Sequence, residues 1–235
     1  MAYEIDGIDV RGDGASFALS MSDLPFIPME ERIALVSGLA ESCWHLRFVC
    51  VRNDSVDPTV FAEAVTMAAA SGLGLILESR DPACLATALS AVPDRRPLLL
   101  ITDPDRTAET SVLSGISGCP VAVTGVDVQS LMDNVEMAEG HGASTVVLAP
   151  DTPNMKSCLE TNTDIHRLAD EHAVRQASYP LMTRTWSGEY ALAVASVSVM
   201  RYGDIVVLDD LDPEGCLVLD ALMDSVQRSG PQDGN

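Results

Sequence analysis

Short apolar runs, each followed by a turn signal and then a helix-period segment, recur along nearly the whole chain. The runs lie at 46–51, 73–77, 97–101, 120–124, 144–148, 179–183 and 204–208. The helical segments between and after them are 58–71, 82–91, 106–114, 128–140, 162–176, 188–202 and 213–228. A strand at 16–20 and a helix at 28–42 complete eight strand–helix units. The strands are apolar throughout rather than alternating, so both faces are buried, which is the mark of a parallel sheet. Eight such units in about 210 residues predict a compact α/β fold, the (β/α)8 TIM barrel. An open doubly wound sheet is the competitor, but it usually carries a glycine-rich phosphate turn after its first strand, and none is present. The reading is one barrel domain over 1–228, a hairpin within 3–14 plugging its bottom, and a disordered polar tail at 229–235.

Asp-Pro pairs set the register. They occur at Asp57-Pro58, Asp81-Pro82, Asp103-Pro104 and Asp212-Pro213, each after a strand. Aspartate at an N-cap followed by proline at the first helical position starts a helix. Asp127 takes the cap role without proline. These aspartates therefore read as caps before they read as catalytic acids.

Charge narrows the function. Of 235 residues, 35 are acidic and 14 basic, for a net charge of −21. Such a surface repels phosphate backbones and anionic lipid, so neither nucleic acid nor a membrane is an expected partner. Lys156 is the sole lysine and lies in a polar stretch, which disfavours Schiff-base chemistry. Arginine- and aspartate-rich, lysine-poor usage fits a high-GC genome or a salty cytoplasm. Six cysteines lie at wide spacing, with no Cys-x-x-Cys, and read as buried reduced thiols in a cytoplasmic protein. Neither a signal peptide nor a membrane-spanning run is evident.

Residues just past the strand ends surround the barrel mouth in this register. The candidate ligand-binding set is Asn53, Asp54, Glu78, Arg80, Thr102, Asp151, Arg184, Trp186 and Asp209. Arg52, with Arg80 and Arg184, either binds an anionic or polar ligand or neutralises nearby carboxylates. Trp186 either stacks on a flat ligand or packs on the rim, and Trp44 reads as core. His45 and His141 fall at the barrel bottom, and His166 and His172 lie on different faces of one helical segment. No metal-ligand spacing, Gly-x-Ser-x-Gly elbow or Walker loop is present, so no catalytic residue is assigned. The positions where barrels often hold phosphate read Thr185-Trp186-Ser187-Gly188 and Asp209-Asp210-Leu211-Asp212, and the second would repel it.

Several stretches, in order, carry a family likeness. They are Leu46-Arg-Phe-Val-Cys-Val-Arg52, Leu75-Ile-Leu-Glu-Ser-Arg-Asp-Pro82, Asp94-Arg-Arg-Pro-Leu-Leu-Leu100, Cys119-Pro-Val-Ala-Val123, Val146-Val-Leu-Ala-Pro150 and Met200-Arg-Tyr-Gly-Asp-Ile-Val-Val-Leu208. Over about 46–210 the chain resembles the TIM-barrel domain of the corrinoid/iron–sulfur protein subunits, gamma and delta, of acetyl-CoA decarbonylase/synthase. The likeness is nearer to gamma. It implies a role in C1 metabolism beside a corrinoid that carries a methyl group. The gamma subunit's four-cysteine iron–sulfur module and its cobalamin-binding domain have no counterpart here. The resemblance thus implies a barrel that binds no cofactor alone and meets a corrinoid at an interface with a corrinoid protein or methyltransferase subunit. The alternative is a small barrel enzyme or binding protein for a pterin-like or other polar ligand at the mouth. The charge alone makes one prediction: self-repulsion is screened by salt, so the melting temperature rises from low to molar potassium chloride, and a fall would contradict it.

Overall fold

The computed structural model describes residues 3–11, 14–24, 28–185, 188 and 190–229. A two-stranded antiparallel hairpin, β1 (Glu4–Ile5) and β2 (Ile8–Asp9), comes first. Eight parallel strands follow: β3 (Ser16–Ser22), β4 (Leu46–Arg52), β5 (Gly74–Ser79), β6 (Leu98–Ile101), β7 (Val121–Gly125), β8 (Val146–Pro150), β9 (Met182–Thr185) and β10 (Ile205–Leu208). The intervening helices are α1 (Met29–Ser42), α2 (Pro58–Ala69), α3 (Pro82–Ala91), α4 (Thr107–Ser117), α5 (Val128–Gly140), α6 (Met155–Asp170), α7 (Ala191–Met200) and α8 (Pro213–Ser229). The ladder runs β8-β7-β6-β5-β4-β3-β10-β9, and a parallel bridge between Leu148 and Leu181 joins its two ends. The result is a nearly closed barrel, as expected. Its seam is thin because Pro180, which has no N–H to give, precedes β9. There the Leu148 N–H donates to the Pro180 carbonyl at 2.7 Å, and the Leu181 N–H turns to the Asp204 carboxylate at 2.8 Å.

Alternate residues along each strand enter different cores. Phe17, Leu19, Val49, Val51, Leu75, Leu77, Val206 and Leu208 pack outward under the helices. Ala18, Phe48, Cys50, Ile76, Leu98, Leu100, Ala122, Val147, Ala149, Met182, Ile205 and Val207 fill the barrel interior with Ile5 and Val10 of the hairpin. The expected plug is therefore present. Its turn is Asp6-Gly7, with φ of 51° and 84°, the left-handed pair that a tight hairpin demands. The Asp6 carboxylate accepts from the Leu75 N–H at 2.9 Å, the Arg96 N–H at 2.9 Å and the Arg95 guanidinium at 3.0 Å. Opposite it Gly74 makes room: a Cβ there would stand 2.5 Å from the Phe48 ring and 2.7 Å from Ile8.

The Asp-Pro caps form as read. Asp57 accepts from the Thr59 N–H at 2.8 Å, Asp81 from Ala83 at 2.9 Å and Asp212 from Gly215 at 2.7 Å. Asp103 caps a single 3₁₀ turn, Pro104–Arg106, that leads into α4. Asp127 and Ser130 form a capping box.

Three expectations are corrected. The sixth helix spans Met155–Asp170 rather than 162–176, started by a capping box of Asn154 and Ser157. Its apolar stripe is interrupted by Asn162, fully buried because its amide donates to the Arg201 carbonyl at 3.0 Å, and that break hides the helical period. His172 consequently lies beyond the helix, and β9 starts three residues later than the apolar run. Trp44 is 81% exposed rather than core, since it occupies the turn before β4 with its backbone N–H on Asp220 at 3.1 Å. All six cysteines are buried free thiols, and burial pushes Cys158 up to about 11. Residues 230–235 lie outside the described residues. Asp6→Ala orphans two backbone donors and a guanidinium, so urea unfolding should show a loss of about 2–4 kcal/mol at an unchanged m-value.

Candidate functional site

The outward-facing alternation that builds the two cores also decides which side chains enter the mouth. Arg52 ends β4 and Glu78 lies opposite it in register near the end of β5. Arg184 projects from β9, and Asp209 follows β10 directly. These four side chains meet above the apolar interior. The Arg184 guanidinium contacts Glu78 Oε2 and reaches Asp209 Oδ1 at 3.1 Å. Arg52 reaches the same Asp209 oxygen at 3.3 Å and Asp54 Oδ2 at 3.2 Å. The chain Glu78–Arg184–Asp209–Arg52–Asp54 is thus a continuous run of charge-assisted pairs across the barrel. Burial lowers the pKa of Arg184, and the charges of Glu78, Cys50 and Asp209 more than offset this, so the net shift is upward. Below it, the Cys50 thiol stands 3.6 Å from Glu78 Oε2; burial first, and then the Glu78 charge, push it well above the ordinary thiol range. Such a thiol is not a nucleophile.

Asn53 and Asp54 continue the β4 loop. The Asn53 amide donates to Ser79 Oγ at 2.9 Å. Buried Asp23 holds this loop by accepting from the Asp54 N–H at 2.9 Å, the Ser55 N–H at 2.8 Å and the Ser55 hydroxyl at 2.6 Å. Two adjoining clefts open over the network. The smaller, about 200 Å³, lies among Arg52, Asn53, Asp54, Glu78, Ser79, Arg80, Thr102 and Arg184. The larger, about 380 Å³, shares Arg80, Thr102 and Arg184 but has an apolar wall of Leu100, Pro104, Val126, Ala149, Pro150 and Met182, with Asp151, Thr124 and Thr152 at its edge. The mouth is therefore charged toward β4, β5 and β10 and apolar toward β6, β7 and β8.

Of the residues read from the sequence, Asn53, Asp54, Glu78, Arg80, Thr102, Asp151 and Arg184 line these clefts, and Asp209 anchors the network beneath. Trp186 lies outside the described residues. Neutralisation accounts for Arg52 and Arg184, whereas Arg80 is exposed and has no ion pair among the described residues. The apolar wall went unread, because strands that are apolar throughout do not reveal which side chains point inward. The buried hydroxyls Thr124 Oγ1 and Thr152 Oγ1 have no hydrogen-bond partner among the described residues. Among those residues no three His, Cys, Asp or Glu side chains stand together as a metal site, and no helix is long and apolar enough to cross a membrane.

The described residues lining the two clefts include no histidine. His45 is buried at the opposite end against Asp220 at 2.8 Å, and His141 bonds the Met137 carbonyl at the end of α5, so neither reaches the rim. The rim carries an apolar edge at Pro104, Val126 and Pro150.

Comparison with known proteins agrees with this architecture. The corrinoid/iron–sulfur protein large subunit of Moorella thermoacetica is 29% identical over a match covering 82% of this chain and 45% of that protein. The acetyl-CoA decarbonylase/synthase complex subunit gamma of Methanosarcina acetivorans is 31% identical, covering 72% of this chain and 40% of that protein. The chain thus spans less than half the length of these relatives. Among solved structures, dihydropteroate synthase from Thermus thermophilus in complex with 4-aminobenzoate superposes with a TM-score of 0.67 at 14% identity, covering 93% of this chain and 96% of that one. A putative spore coat polysaccharide biosynthesis protein E from Chromobacterium violaceum does so with 0.66 at 13% identity, covering 94% and 78%. At those identities the superpositions speak for the barrel fold alone. The profile of the CO dehydrogenase/acetyl-CoA synthase delta subunit matches residues 30–226, reaching beyond the sequence likeness into α1 and α8, and the chain belongs to that family.

Proposed function

We propose that this barrel serves as a partner subunit in corrinoid-dependent methyl transfer in C1 metabolism, docking or capping a corrinoid protein rather than carrying out the chemistry itself. The observation that carries this reading is the state of the mouth. Among the described residues, the carboxylates above the barrel interior are paired: Glu78 with Arg184, Asp209 with both Arg184 and Arg52, and Asp54 with Arg52, while Asp151 stands exposed at the edge of the larger cleft. A general acid or base needs a proton site free to exchange with substrate, and a nucleophile needs a base beside it. The paired carboxylates and the buried Cys50 thiol supply neither. The corrinoid would be carried by the partner and meet this chain at the apolar rim, with Val126, 75% exposed, at its centre. Relatives named as subunits of a corrinoid/iron–sulfur protein and of acetyl-CoA decarbonylase/synthase support the pathway. Affinity isolation of the tagged chain from its native cell extract should co-purify a protein with corrinoid absorbance, and Val126→Asp should diminish the yield. Recovery of no corrinoid protein or methyltransferase subunit would overturn the reading.

A second reading rests on Arg80 and the two unpartnered threonine hydroxyls. A cleft of about 380 Å³ sits at the lower end of the roughly 300–1,000 Å³ usual for small-molecule sites. Its apolar wall suits the face of a flat ring, and Arg80 suits an acidic tail, as in a pterin carboxylate. Calorimetric titration with pterin-6-carboxylate tests this. Binding that weakens about 10-fold or more in Arg80→Ala supports a ligand site, whereas no heat at millimolar ligand removes it.

A further inference from the structure

Asn162 breaks the helical period of α6, and its fold role accounts for only half of its side chain. The residue is fully buried, and its amide nitrogen donates to the Arg201 carbonyl at 3.0 Å. Its oxygen, Oδ1, is buried too and has no hydrogen-bond partner among the described residues. The orphaned threonine hydroxyls of the mouth can turn to donate or accept, whereas an amide oxygen only accepts. A buried acceptor without a donor is costly, and an apolar residue at this position would avoid that cost.

Asn162 lines a cleft of about 200 Å³ at the lower end of the barrel, beside the seam. Ile165, Ala177 and Leu181, each at most 5% exposed, give it an apolar floor. One wall is aromatic: the rings of His166 and Tyr202 stack with centroids 3.6 Å apart and planes 16° from parallel. Tyr202 holds that place at a φ of 67°, the left-handed region an aromatic residue seldom adopts. The charged groups around the cleft are already engaged. Arg11 donates to both Asp204 carboxylate oxygens at 3.2 Å and to the Ser178 carbonyl at 3.0 Å. His166 Nε2 stands 3.1 Å from Asp170 Oδ2. What the cleft presents is therefore an apolar floor, a flat aromatic wall and one unmet acceptor.

We propose that this lower cleft binds a small neutral heteroaromatic molecule, which donates a ring N–H to Asn162 Oδ1. The donor follows from the acceptor, and the flat apolar body follows from the floor and wall. Neutrality follows from the paired charges, because an ionised ligand would meet no unengaged counter-charge. Size fits as well: a cavity of about 150 Å³ takes a benzene ring, so about 200 Å³ takes one fused bicycle. The position gives the ligand an effect. Leu181 carries the bridge to Leu148 that closes the barrel, and Asn162 ties α6 to the end of α7. An occupant touching both stabilises the closed ladder by binding the folded state. This cleft shares no lining residue with those of the mouth, so it stands apart from both readings above.

Calorimetric titration of the full chain with indole tests this, alongside benzofuran, the same bicycle with a ring oxygen in place of the N–H. Indole should bind with a dissociation constant below about 1 mM and raise the melting temperature. Benzofuran should bind about 10-fold more weakly, because it leaves Oδ1 unmet. Tyr202→Gly removes the aromatic wall at a backbone position that glycine adopts without strain, so the circular dichroism spectrum stays unchanged. That variant should lose about 10-fold in indole affinity. Asn162→Leu should abolish the preference for indole over benzofuran. Val126→Asp, on the apolar wall of the mouth, should leave indole affinity as it was. No heat at millimolar indole would overturn the proposal. So would equal affinity for the two bicycles, undiminished binding to Tyr202→Gly, or indole binding lost in Val126→Asp.

Discussion

Closing a parallel ladder on itself buries both faces of every strand, and everything else in this protein follows from having to fill the inner one. Eight strands enclose a space that helices cannot reach. At the bottom it is filled by the β1–β2 hairpin, pinned through the Asp6 carboxylate to the backbone of Leu75 and Arg96. In the middle it is filled by aliphatic side chains, with Gly74 leaving space for the Phe48 ring. At the top the inward positions are Arg52, Glu78 and Arg184, with Asp209 beside them. A charge taken partly out of water needs a counter-charge close by, and these residues provide one another's.

That arrangement makes one side of the mouth polar. Against the lowering effect of burial, the charges of Glu78 and Asp209 raise the pKa of Arg184, and the pairs organise that side of the rim. The apolar wall from β6 to β8 faces this network across a cleft of about 380 Å³. The exposed apolar residue at the mouth is Val126, 75% exposed at the edge of that cleft.

Much of the fold was legible because its signals are local. Strand counting needs only apolar runs, and helix starts need only an aspartate and the proline after it, two residues that touch the same turn. The cap at Asp127 was readable for the same reason, as was a hairpin within residues 3–14, though not its Asp6-Gly7 turn. The sixth helix was not, because buried Asn162 sits where an apolar residue would mark the period, and its partner, the Arg201 carbonyl, is 39 residues away. Trp44 was misplaced because a tryptophan beside an apolar strand reads as core until the turn that swings it outward is seen.

The candidate site divides along the same line. By itself the sequence determined that arginines and carboxylates cluster at strand ends on one face of an α/β barrel, since strand order and the alternation of units are written residue by residue. Only the tertiary structure decided that Arg52 meets Asp209, 157 residues along the chain, that Arg184 meets Glu78, and that Arg80 keeps no ion pair among the described residues. It also decided which strand residues make the apolar wall. The reason is geometric: in strands buried on both faces, polarity does not distinguish inside from outside, and that distinction appears only when the ladder curves shut.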